Sequence, residues 1–153
     1  MALESFRMLA LAIFAQLWSG PLPPDANAIA DASAQAVLAN ASPVFTSFTE
    51  DVAALATFAR YESEISIHPK PFSHDALDGT SCGPWQLPCR FVATHTLTEQ
   101  ATQWLSLMRW SKATCPAHPA APLCSGRCDR GTVISDNRLR AMRGALSAVL
   151  GKE

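Results

Sequence analysis

The sequence predicts one mainly α-helical domain in which two long irregular segments separate the helices. Three observations carry this reading. The 153 residues are 48% hydrophobic and only 16% charged, enough apolar surface for one core and too little length for a second ordinary domain. Apolar residues recur at helical spacing in several windows. The stretches between those windows are rich in Pro, Ser, Gly, Asp and Cys.

The chain opens with an apolar run from Met8 to Trp18, broken only by Gln16 and followed by Gly20, Pro21, Pro23 and Pro24 and then by Ala26-Asn27-Ala28. Residues 1–28 therefore read either as a signal peptide or as an N-terminal helix, with the main domain spanning 29–153. The run is shorter than the roughly 20 residues that cross a bilayer, so stable membrane insertion is not expected. The Ala-rich stretch from Ala26 to Ala41 places Ile29, Ala32, Ala36 and Val37 on one helical face. Ser47, three residues before Glu50, forms a capping-box pattern that starts a helix running from about Phe48 to Glu64.

From Ile65 to His95 periodicity disappears, which predicts a long loop with at most short strands; such a loop in a small domain points to function. Thr96 and Glu99 repeat the capping pattern and start a helix with Leu97, Ala101, Trp104, Leu105 and Met108 on its inner face. Cys115 to Thr132 is irregular, with Pro116, Pro119 and Pro122 opposing regular helix. A last helix, capped by Ser135 or Asp136, carries Leu139, Met142, Leu146, Val149 and Leu150 and stops at Gly151.

A net charge of -1 and a pI near 6.4 give no general attraction to nucleic acid or anionic lipid. Arg138, Arg140 and Arg143 read as a solvated helix face. The five cysteines, Cys82, Cys89, Cys115, Cys124 and Cys128, favour an oxidising compartment. The natural pairings are Cys82 with Cys89 and Cys115 with either Cys124 or Cys128. Cys115, His118, Cys124 and Cys128 also admit a rival zinc reading, with irregular spacing. The remaining histidines, His68, His74 and His95, form no helical metal pair, and nothing in the sequence requires a cofactor.

On the helical wheel Glu62 falls between Leu55 and Phe58, on the apolar side. A carboxylate there faces inward beside a polar loop, the setting in which desolvation favours the protonated form that a general acid needs.

The run from Ala59 to Leu87, ARYESEISIHPKPFSHDALDGTSCGPWQL, resembles the catalytic segment of the lysozyme-like superfamily, nearest to soluble lytic transglycosylases and goose-type or phage-type muramidases. The shared features are the pair Glu62-Ser63 at a helix end and the later stretch Gly83-Pro84-Trp85-Gln86. The resemblance implies a lysozyme-like (α+β) fold whose cleft lies between the Glu62 helix and the loop from His74 to Gln86. It implies cleavage of the bond between N-acetylmuramic acid and N-acetylglucosamine in peptidoglycan, with Glu62 as acid/base. Ser63, Ser81, Gly83, Trp85 and Gln86 would shape the saccharide groove. A hydrolase of the inverting type needs a second carboxylate, for which Asp75 and Asp78 lie in the right loop; a transglycosylase, by the same resemblance, uses the substrate's own 6-hydroxyl.

At the turn where family members carry a tyrosine before a glycine, this chain has Leu123-Cys124-Ser125-Gly126, and its single tyrosine is Tyr61. Either Ser125 or a water replaces that hydroxyl, or the protein is a non-catalytic cell-wall-binding or virion structural protein. The expected location is the periplasm, cell envelope or extracellular space, with phage-associated or cytoplasmic use as alternatives.

Overall fold

The computed structural model describes residues 2–68 and 81–151. It is mainly helical. Among the described residues, seven helices and a two-stranded sheet follow in the order α1 (Ala2–Leu17), α2 (Ala26–Ala39), α3 (Phe48–Ser63), β1 (Ser81–Cys82), β2 (Leu87–Pro88), α4 (Cys89–Thr94), α5 (Leu97–Thr114), α6 (Ala121–Ser125) and α7 (Thr132–Leu150).

The centre of the molecule is α3. Every residue from Val52 to Ala59 is buried, because α1, α2, α5 and α7 all pack against this one helix. The abundance of alanine on α2 and α3 permits that crowding: small side chains let several helix axes approach one another. Phe58 and Trp104 meet at a 4.9 Å centroid separation and tie α3 to α5. Ala10, Ile13 and Phe14 of α1 are fully buried, so this helix contributes directly to the core. Its C-terminal end is held by Arg60, whose Nε donates to the Leu17 carbonyl at 2.9 Å while the guanidinium sits 4.8 Å from the Trp18 ring centre. An orphan carbonyl of α1 is thereby satisfied from α3.

The expected helix from about Phe48 to Glu64 ends one residue earlier, at Ser63, with Glu64 as its left-handed C-cap. Ser47 caps its start as expected, accepting from the Glu50 amide, but the Glu50 side chain accepts from Thr46 and not from Ser47. The complete reciprocal capping box occurs on α5, between Thr96 and Glu99. Three local expectations are corrected. The six residues Cys89–Thr94 form α4, where loop was expected; the segment buries no residue and so leaves no periodic signal. Pro122 does not prevent helix but occupies the first turn of α6, where the missing N–H costs nothing. Finally, α7 starts at Thr132 behind its cap Gly131, four residues ahead of Ser135 and five ahead of Asp136, and Ser135 is instead buried within it.

Asp51, in the first turn of α3, is fully buried and accepts from the amides of Val44 (2.8 Å) and Phe45 (2.9 Å). Burial pushes its carboxyl above the ordinary 3.8, opposed by these two amides and by Arg109 and Lys112. A raised folded-state value means that the folded chain holds the proton more tightly than the unfolded chain. Stability therefore falls as pH rises from 3.8 through the raised value, and is constant beyond it. Asp51→Asn keeps one acceptor but turns an amide donor on the other N–H, a loss of about 1–3 kcal/mol. Urea unfolding at several pH values is expected to show that deficit at its largest in acid and shrinking as pH rises, since only the wild type carries the ionisation penalty.

Two disulfides are present. Cys82–Cys89 closes the turn between β1 and α4, with a Cα separation of 4.9 Å, and Cys115–Cys128 ties the end of α5 to the segment after α6, at 5.5 Å. Of the two partners left open for Cys115, the structure selects Cys128. Thiol titration of denatured, unreduced protein is expected to find one reactive group per chain, Cys124; five would show that neither bridge forms. Among the described residues, no helix is long and apolar enough to cross a membrane.

Candidate functional site

Glu62 occupies the last turn of α3 and is 6% exposed, facing inward as its place on the wheel predicts. Its carboxylate forms an ion pair with Arg138 of α7, through Oε1 and Nη1. Arg138 Nη1 also lies 3.6 Å from Cys124 Sγ, at the end of α6. Three elements distant in sequence thus meet at one guanidinium. The guanidinium lies 5.9 Å from the ring centres of both Phe58 and Tyr61, so α3 flanks it with aromatic rings. This corrects the reading of Arg138 as part of a solvated face: its side chain is 13% exposed, while Arg140 and Arg143 are exposed as expected.

The backbone just after Glu62 is unusual. Glu64 and Ile65 are both left-handed, at φ 56° and 58°, a conformation that costs a β-branched residue such as Ile65 in particular. It persists because the Ile65 side chain is fully buried and its amide reaches back to the Ala59 carbonyl at 3.1 Å. Ser63 is occupied locally: its hydroxyl donates to the Ala59 carbonyl (2.8 Å) and accepts from the Ser66 amide (3.2 Å). Together these bonds turn the chain away from α3 directly after the buried pair Glu62 and Ser63.

The second segment singled out in the sequence folds onto the same helix. Trp85 is 3% exposed, and its indole N–H donates to the Leu55 carbonyl at 2.9 Å, which anchors the Gly83–Gln86 turn on α3 about two turns before Glu62. Gly83 has a φ of 78°, in the left-handed region that favours glycine, and a Cβ there would displace the end of the Gln100 side chain, 2.6 Å away. Gln86 is itself left-handed (φ 53°), and its Nε2 donates to the Gly83 carbonyl at 3.0 Å. Among the described residues, Gln86 Oε1 and Gln100 Oε1 are buried without a hydrogen-bond partner. Ser81 and Gly83 border a cavity of about 380 Å³ that also touches Ile67, His68, Val92 and the Cys82–Cys89 disulfide; Glu62 is not in its wall.

The third segment forms a turn around Ser125, whose hydroxyl lies at 3.1 Å from the Ala121 carbonyl and accepts from the Arg127 amide at 3.3 Å. Ser125 therefore organises the α6–α7 connection. The group from that connection that reaches the Glu62 site is Cys124, by way of Arg138. Asp75, Asp78 and His74 lie outside the described residues.

The zinc ligand set is not assembled. Cys115 and Cys128 are joined to each other, and His118 Nδ1 lies 2.8 Å from Asp136. Among the described residues, no group of three or more His, Cys, Asp or Glu side chains is placed to hold a metal.

No family model, curated protein or solved structure matches this chain. The geometry and the chemistry of the residues therefore carry the functional argument. Sequence reasoning missed Arg138. Its signal was available in principle, since Arg138 is adjacent to Leu139 and four residues before Met142, both core positions, and so falls at the edge of the inner stripe of α7.

Proposed function

We propose that this protein cleaves the glycan strands of peptidoglycan between N-acetylmuramic acid and N-acetylglucosamine, with Glu62 as the acid/base. The observation that carries the reading is the placement of Glu62: a nearly buried carboxylate at the end of the central helix, followed by two consecutive left-handed residues, with the Trp85-anchored turn on the same helix. Strained backbone of this kind clusters at functional positions.

In this reading protonated Glu62 gives its proton to the glycosidic oxygen as the C1–O bond breaks, and the leaving sugar departs with a hydroxyl. The resulting carboxylate then takes a proton from the attacking oxygen as that oxygen bonds to C1, which restores the acid. If the attacker is the muramic acid's own 6-hydroxyl, the product carries a 1,6-anhydro end; if it is water, a reducing end. Two disulfides fit an exported protein acting on the cell envelope.

A second reading, a non-catalytic cell-wall-binding or virion structural protein, is favoured by one observation: the Arg138 ion pair stabilises Glu62 in its charged form, whereas a general acid must carry a proton. Incubating the purified protein with a peptidoglycan suspension separates the two. Loss of turbidity with release of anhydro or reducing ends supports cleavage and names the mechanism. Sedimentation with the wall and no released fragments supports the binding reading.

A further inference from the structure

We propose that Arg138 is the positioning residue of this site, holding the Glu62 carboxylate through Oε1 in the orientation used for proton transfer. The inference rests on the cleavage reading above and adds to it a group on a different helix. The guanidinium Nη1 meets Glu62 and also lies 3.6 Å from Cys124 Sγ, and the ring centres of Phe58 and Tyr61 lie 5.9 Å from the guanidinium carbon. A planar guanidinium held in this way has a defined orientation and imposes it on the carboxylate it contacts. Without such a contact the terminal torsion of a glutamate is broad, and misplacing a reacting group by about 1 Å costs about 10²-fold in rate.

The contact also acts on the charge of Glu62. A cation in contact favours the carboxylate, the form that accepts the proton in the second half of the reaction and cannot donate it in the first. Activity must fall as pH rises and Glu62 loses its proton. With Arg138 in place that fall comes at a lower pH than it does without Arg138. Among the described residues, most other charged or titratable groups on the packed elements bind partners away from Glu62. On α1, Glu4 and Arg7 pair with each other. On α2, Asp31 accepts from Gln35. On α5, Arg109 and Lys112 bind carbonyls of Ser42 and Val44 beyond the opposite end of α3. On α6 the group is Cys124. On α7, Asp136 faces His118, and Arg140 reaches Asn137. On α3 itself Arg60 is turned to Leu17 and Trp18, with Tyr61 beside it.

The test is the pH dependence of kcat and KM on soluble peptidoglycan glycan strands for the wild type, Glu62→Gln, Arg138→Met and Arg138→Lys, each checked for folding by circular dichroism. Arg138→Met is expected to lower kcat about tenfold or more with KM within about twofold. Its descending limb should move to higher pH. Arg138→Lys, which keeps the charge but not the planar fork, is expected to keep the limb near its wild-type position while kcat falls. A folded Arg138→Met enzyme whose limb stays where the wild type has it overturns the proposal, since a purely structural role lowers the active fraction without moving the limb. Should Arg138→Met not fold, Arg138→Lys decides: a lower kcat at unchanged KM supports the proposal, and wild-type kcat overturns it. A wild type that releases no fragments overturns the cleavage reading itself. A wild type disabled by Glu62→Gln but indifferent to Arg138 overturns this inference alone.

Discussion

Glu62→Gln is expected to reduce peptidoglycan cleavage by about 10² to 10⁴-fold, the usual contribution of a positioned general acid. Gln preserves the length, the shape and an acceptor oxygen for Arg138, but it has no proton to transfer and no charge with which to take one back. The loss should appear in kcat, with sedimentation onto the wall retained, because the residues around Gly83 to Gln86 are untouched. Stability gives a second readout. A carboxylate opposed only by desolvation would be a burden, and its removal would stabilise the fold. Here the carboxylate neutralises a guanidinium whose side chain is 13% exposed, so the amide leaves Arg138 with a weaker partner and the variant should be somewhat less stable. Cleavage at the wild-type rate by Glu62→Gln, in protein free of contaminating lysozyme, would remove Glu62 from the mechanism.

Much of the helical frame was legible because it rests on local rules. The capping residues Ser47 and Thr96 mark the starts of α3 and α5, and Gly151 closes α7, since caps are read from a few adjacent residues. Glu62's inward orientation followed from one turn of wheel geometry. What escaped is what depends on distant partners. The start of α7 is carried by Gly131, which offers no side-chain cap, so Ser135 and Asp136 looked like better candidates than the residue that actually stands there. The helix α4 has no fully buried residue and is pinned by the Cys82–Cys89 disulfide, a constraint that periodicity does not register. The Glu62 site is the clearest case. Its two charged members are 76 residues apart, and nothing local to Arg138 indicates which carboxylate it meets. The segments that carried the family resemblance are arranged mainly by their own hydrogen bonds, with Ser63, Gln86 and Ser125 each engaged by nearby backbone.

Arg138→Met is expected to destabilise the protein by about 3–5 kcal/mol at neutral pH, the cost of leaving one member of a buried ion pair without the other. Met fills much the same volume between Phe58 and Tyr61, so little of the loss should come from packing. The side chains of Glu62 and Arg138 are only 7% and 13% exposed, which limits how far water can replace the guanidinium. If the penalty belongs to the charge on Glu62, neutralising that carboxylate as well must recover most of it. The double variant Glu62→Gln/Arg138→Met should therefore be more stable than Arg138→Met alone, with a coupling energy of about 1–3 kcal/mol between the two positions. Urea unfolding of the four proteins measures all three differences. Additive effects, or a loss below about 1 kcal/mol for Arg138→Met, would mean that the two groups interact as an exposed pair does, and the electrostatic argument for Arg138 would then lose its basis.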